Sequence, residues 1–126
     1  MGTFAETVRN GLLNHCLGGP DYSRLATVYV GLKVGASEVS GGSYARVAVT
    51  NNATNWPAAA SGSKSNGTVV SFVTPTGDWG TVDGFFISDA ASAGNEIGGG
   101  LLTQSQVIQS GNPVSFPIGS LVASIT

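Results

Sequence analysis

The chain holds one histidine and one cysteine, and they are neighbours, His15 and Cys16. Nucleophilic catalysis needs an activated nucleophile within reach of a base. Adjacent residues on a helix diverge by about 100°, so these two cannot form a dyad there. His15 reads instead as a polar residue near a helix C-terminus, where its charged form is favoured. A zinc site would need two or three further soft ligands, which are absent. A glycosidase needs two carboxylates across a cleft. Glu38, Asp78, Asp83, Asp89 and Glu96 offer candidates, but five carboxylates in a chain this short supply some pair by chance. Ser88 to Gly100 carries Asp89, Glu96 and several glycines, without the alternating oxygen ligands of a calcium loop, and reads as a wide glycine turn. Gly98-Gly99-Gly100 leads into a strand, not a helix, so it is no phosphate loop. The expectation is a protein with no catalytic residue, no cofactor and no metal.

Arg46 suits a structural role better than a catalytic one. It follows Tyr44 by two residues, on the same face of an expected strand. Its planar fork can hold a carboxylate bidentately, and Glu38 across the glycine turn is one candidate. Either Arg46 lies exposed over Tyr44, or it is partly buried and fixes the turn. A second segment has the same design. Trp79-Gly80-Thr81-Val82 joins a glycine turn to an alternating strand, again with a large aromatic at the joint.

Stepping along the chain gives the elements that would position these residues. Thr3 to Leu17 is expected to be helical, with Thr3 and Glu6 spaced as a capping box. Phe4, Val8 and Leu12 form its apolar stripe, which covers either this chain's own sheet or a neighbour's. Gly18, Gly19 and Pro20 stop it. Period-two patterns follow from Ala26 to Val34 and from Tyr44 to Thr50. Further strands are expected at Thr68 to Thr74, Thr81 to Ser88, Leu101 to Gln109, Val114 to Phe116 and Leu121 to Ile125. Turn clusters separate them, supported by 19 glycines. The predicted fold is mainly β: a β-sandwich or jelly roll of about seven to eight strands with a short N-terminal helix. It forms a single domain over residues 1–126, with residues 1–19 as a helical arm. Trp56, in the long loop Asn51 to Asn66, is either a staple holding that loop down or a contact for a partner. Leu121 and Ile125 either pair with a partner's edge strand or pack into this chain's own core.

Composition narrows the function. A chain of 126 residues buries roughly two thirds of its unfolded surface, enough for one modest core. Charged residues make up 10%, against roughly 25% in an average soluble domain. The last charged residue is Glu96. Such a surface fits permanent assembly, and a small homo-oligomer is expected. The net charge of −2 and five scattered basic residues argue against nucleic acid. No run is apolar enough for a membrane span. No signal peptide is expected, and the lone cysteine suits synthesis in a reducing cytoplasm. Two triplets, Asn52-Ala53-Thr54 and Asn66-Gly67-Thr68, match the glycosylation pattern and read as coincidence.

The segment Glu38-Val39-Ser40-Gly41-Gly42-Ser43-Tyr44-Ala45-Arg46 resembles one found in a family of small virion proteins of tailed bacteriophages. Trp79-Gly80-Thr81-Val82, Phe86-Ile87-Ser88-Asp89-Ala90-Ala91 and Gly94-Asn95 share the resemblance, as does the opening order of helix, Gly-Gly, Tyr and Val28-Tyr29-Val30-Gly31-Leu32. The likeness covers nearly the whole chain. Members are often labelled tail fibre proteins, and proteins of similar size and character serve as cement or decoration subunits on phage capsids. At Lys33 to Ser37 this chain is shorter than the acidic, threonine-rich turn expected of the family. The resemblance implies a virion structural protein assembled in the bacterial cytoplasm. The expected role is a capsid cement subunit bridging copies of the major capsid protein. The alternative is a tail fibre or tail-tip module, with tail proteins as partners and exposed aromatics such as Trp56 and Tyr29 around a receptor groove.

Overall fold

The period-two run beginning at Ala26 becomes the strand on which the sheet is organised. In the computed structural model, which describes residues 2–124, the order is β1 (Gly2–Phe4), α1 (Glu6–Cys16), β2 (Thr27–Val34), β3 (Ser37–Glu38), β4 (Val47–Thr50) and β5 (Ser63–Ser65). There follow β6 (Val70–Ser71), β7 (Gly80–Ser88), β8 (Glu96–Ile108), β9 (Ser115–Phe116) and β10 (Val122–Ser124). The order across the main sheet is β3-β2-β7-β8-β1-β10-β5, with β4 also paired to β2. Every described pairing is antiparallel except β1 with β10. A second layer holds only β6 and β9.

Val28, Val30 and Leu32 alternate inward along β2, and the last two are fully buried. They meet Ile87 and Phe85 of β7 in register, Val30 opposite Ile87 and Leu32 opposite Phe85. Val82 also faces the core, although its parity differs from that of Phe85 and Ile87. The register shift between Val82 and Gly84 accounts for this, because extra residues in a bulge switch the inward face. Val70 and Phe72, near β6, close the core from the other layer with Val114 and Leu121.

The mainly β architecture with a single N-terminal helix is the one expected. The layers are unequal, eight strands against two, and the pairings do not establish a jelly roll. Three local readings are corrected. The helix begins at Glu6 with Ala5 as its N-cap and no side-chain cap, so the capping box is not formed. Thr3 lies in β1 instead, between β8 and β10, because pairing on both sides satisfies more backbone than one extra helical turn. The glycine stop does operate, with Gly18 at φ 82°.

The second correction concerns Gly98 to Gly100. They are sheet residues within β8, paired on one side with β1 and on the other with β7. A Cβ at Gly99 would sit 2.5 Å from the Phe85 carbonyl oxygen. Gly99 serves close backbone approach, and none of the three lies in a turn. Third, Tyr44 to Arg46 leave the ladder, and β4 starts at Val47. The long loop Asn51 to Asn66 likewise contains strand β5.

Candidate functional site

The two glycine–aromatic segments meet in space. Arg46 donates from Nε to Glu38 Oε2 and from Nη2 to Glu38 Oε1, both at 2.8 Å. This is the two-pronged grip that the guanidinium plane favours. Its remaining nitrogen, Nη1, donates to Ser88 Oγ at 3.1 Å, Ala90 O at 2.7 Å and Ala93 O at 3.0 Å. The Arg46 side chain is only 7% exposed, against 32% for Glu38. It therefore ties the start of the first segment to the end of β7 and the loop that follows it. Its Cζ lies 4.9 Å from the centre of the Phe86 ring, and Lys33 Nζ lies 5.2 Å from the same centre. An aromatic face attracts both cations. Lys33 is itself paired with Glu96 at 2.6 Å.

Tyr44 extends the cluster. Its hydroxyl donates to Glu38 Oε2 at 2.8 Å and accepts from the Leu32 amide at 2.9 Å. Burial pushes the phenol's pKa upward, and the Glu38 carboxylate adds to that, while the Leu32 amide opposes it. The Arg46 hydrogen bonds hold the Glu38 carboxyl below its ordinary value despite burial. Glu38 in turn raises Arg46, so the pair is ionised. Gly31 leaves the room this requires. A Cβ there would overlap the Phe86 ring and sit 2.8 Å from the Tyr44 hydroxyl.

Trp79 latches the glycine turn. Its Nε1 donates to Gly42 O at 3.0 Å. Gly42 has φ 57°, and a Cβ on it would lie 2.6 Å from Gly77 O and 2.8 Å from that same nitrogen. The indole, 5% exposed, meets Tyr44 edge-on at 5.3 Å and Phe72 at 6.3 Å. Phe72 continues to Phe116 at 5.9 Å. An aromatic chain thus joins the turn to both sheets.

The other candidates divide. The expected helix stripe is split: Phe4 belongs to strand β1, and with Val8 and Leu12 of the helix it lines a cavity of about 450 Å³ together with Trp56, Val28 and Ile87. Trp56 is 8% exposed, which is the staple position, and its Nε1 has no partner among the described residues. With Trp56 buried and Tyr29 half-buried, the exposed-aromatic groove expected of a receptor-binding tip is not formed by them. Leu121 is 1% exposed in this chain's own core, and β10 lies inside the sheet, so neither is a free edge. Ile125 lies outside the described residues.

Sequence reasoning missed Asn66. It is 2% exposed, and its side chain donates to Thr68 O at 2.9 Å and Pro117 O at 3.0 Å. Its Oδ1 accepts from the Leu121 amide at 2.9 Å. The asparagine of the second glycosylation triplet is therefore a buried hub. The only signal in the sequence was Asn before Gly in a long loop, which equally suggests an exposed turn.

The five carboxylates weighed for acid–base work are each engaged: Glu38 by Arg46, Asp78 by the Ser110 amide, Asp83 by the Gly35 amide, Asp89 by the Asn95 amide and Glu96 by Lys33. Neither the 450 Å³ cavity nor a cleft of about 670 Å³ beside β8 is lined by a carboxylate. His15 Nδ1 accepts from the Tyr22 amide at 3.2 Å, and Cys16 is exposed. No group of metal-ligating side chains gathers among the described residues, and no helix among them is long and apolar enough to cross a membrane. What the cluster can do is hold shape: one charged fork, one indole and one phenol lock two loops onto the sheet.

A family model described as Podophage GP4 fiber I protein gp80 matches residues 3–124. No curated protein matches the chain.

Proposed function

The chain belongs to the Podophage GP4 fiber I protein gp80 family, and from that premise we propose that it is a non-enzymatic structural module of a phage tail fibre, working as a small homo-oligomer among other tail proteins. The observation that carries this is the family match across residues 3–124, almost the whole chain. A fibre subunit needs a stiff body whose loops do not yield. The Arg46–Glu38 grip and the Trp79 latch give that stiffness, because each fixes a glycine turn to the sheet through a buried polar contact. Rigid, repeated contacts then resist force by number, through avidity.

A second reading is a capsid cement subunit bridging major capsid proteins. It is favoured by the sparse charge, 10% of residues. Imaging of intact virions with the protein labelled separates the two. Label on tail appendages supports the fibre assignment. Label confined to head faces replaces it with cement, and virions without the protein overturn both.

A further inference from the structure

Of the five basic side chains, three are engaged within the chain: Lys33 by Glu96, Arg46 by Glu38, and Arg9 by the Phe4 carbonyl oxygen, to which its Nη1 donates at 3.0 Å. Arg24 and Lys64 are exposed and have no ionic partner among the described residues. Arg24 precedes β2 and Lys64 lies in β5, yet both line the 450 Å³ cavity between the helix and the sheet. Among the described residues no acidic side chain lines it. Two cations at one hole, in a chain whose net charge is −2, make a local excess of positive charge.

The cavity has a dry floor and a charged mouth. Val8 of α1, Val28 of β2, Ile87 of β7 and Trp56 of the loop before β5 are 6–9% exposed and form the floor. Tyr22, Ala59 and Gly62, all exposed, join Arg24 and Lys64 at the mouth, so the cavity opens to solvent. Its volume falls within the range of small-ligand sites, about 300–1,000 Å³. Water gains little there, because an ordered water needs about two to four polar partners. The lining's one side-chain amide, Asn51, already donates to Leu25 O at 2.8 Å.

We propose that this cavity binds a free single-chain amphiphile, a medium-chain alkyl carboxylate, with its chain on the apolar floor and its carboxylate at the mouth beside Arg24 and Lys64. The lining decides against other occupants. A peptide segment would bury backbone N–H and C=O groups where Asn51 is already engaged. A cationic amphiphile would meet Arg24 and Lys64 with no counter-charge. An alkyl chain has no polar group to satisfy, and its carboxylate finds both cations. The site goes beyond the fibre reading and does not depend on head or tail location. Its failure would leave that reading standing.

The test is calorimetry of the full chain with octanoate, decanoate and dodecanoate, each below its micelle concentration. Saturable binding is expected, tightening about fourfold per added methylene until the cavity is full, since each methylene leaves water. Decylamine, charged oppositely at neutral pH, should bind about 10-fold more weakly than decanoate. Replacing both rim cations, Arg24→Gln with Lys64→Gln, should weaken decanoate about 10-fold, a few-fold for each exposed ion pair, and leave decanol unchanged. Both positions are exposed, so this variant keeps the fold. Leu12→Trp fills the cavity from the helix and should abolish decanoate binding; where it does not fold, the double variant alone decides. No saturable binding of any of the three carboxylates to the wild type overturns the proposal. So does equal affinity for decylamine, or unchanged decanoate binding in the double variant. A dimer in sedimentation that Leu12→Trp dissolves, with no decanoate bound, would give the cavity to a second copy and overturn it too.

Discussion

Replacing Arg46 by methionine keeps most of the side-chain length and removes five hydrogen bonds: two to Glu38 and one each to Ser88, Ala90 and Ala93. Breaking a buried ion pair by deleting one partner costs about 3–5 kcal/mol, because the other charge is stranded. Glu38 keeps 32% of its side chain in water, so solvent recovers part of that cost. The two carbonyls of Ala90 and Ala93 lose a charged donor but lie near the surface. The expected loss is therefore about 2–4 kcal/mol, somewhat below that range. For a chain of this size that lowers the melting temperature by roughly 6–20 °C. Urea unfolding of wild type, Arg46→Met, Glu38→Gln and the double variant measures it. Glu38→Gln leaves a neutral acceptor for Arg46 and should cost less than Arg46→Met, and the double variant should cost less than the two singles summed. A loss below about 1 kcal/mol for Arg46→Met, or additive singles, would refute the idea that this pair holds the loops.

Four further outcomes are expected. The Glu38 carboxyl is held below its ordinary value near 4.5, so its contribution is full above that pH and disappears as pH falls through the lower folded value. Melting temperature should fall more steeply below pH 4.5 in the wild type than in Glu38→Gln. Tyr44 has the opposite sign: its raised pKa contributes below about 10 and is lost as pH rises beyond, so Tyr44→Phe should flatten the alkaline limb measured by circular dichroism. Gly31→Ala forces a methyl group against the Phe86 ring and the Tyr44 hydroxyl, and should destabilise by about 1–3 kcal/mol in denaturant titration, where a neutral result would show that the ring can move aside. Asn66→Ala leaves the Leu121 amide and the Thr68 carbonyl without their side-chain partner, while Pro117 O keeps its bonds from Ser120, and should cost about 2 kcal/mol or more with the chain still folded in the cold.

The positions of several strands were legible because burial on one face writes a period of two into the sequence. Val28, Val30 and Leu32 show it, and so does the run from Thr81 to Ser88. The Glu38–Arg46 contact was legible as a candidate because both residues flank one tight turn, so local geometry limits their separation. The missed elements share a cause. β1, β5 and the glycine start of β8 are short or lack side chains, so they carry no period, and only pairing with distant strands makes them sheet. Asn66 looked like a turn residue because nothing local distinguishes a buried amide from an exposed one.

By itself, then, the sequence determined a mainly β chain with one N-terminal helix, a sparse charge and the fork of Arg46 near Glu38. These depend on neighbours within one turn or one strand, and such neighbours are written in order along the chain. Only the tertiary structure decided that Trp79 latches the turn at Gly42, 37 residues away, and that Arg46 also holds Ala90 and Ala93. It also decided that Leu121 belongs to this chain's own core and that β6 pairs with β9. Those facts depend on which strands lie side by side, and strand pairing is settled by burial of the whole core, not by any local run of residues.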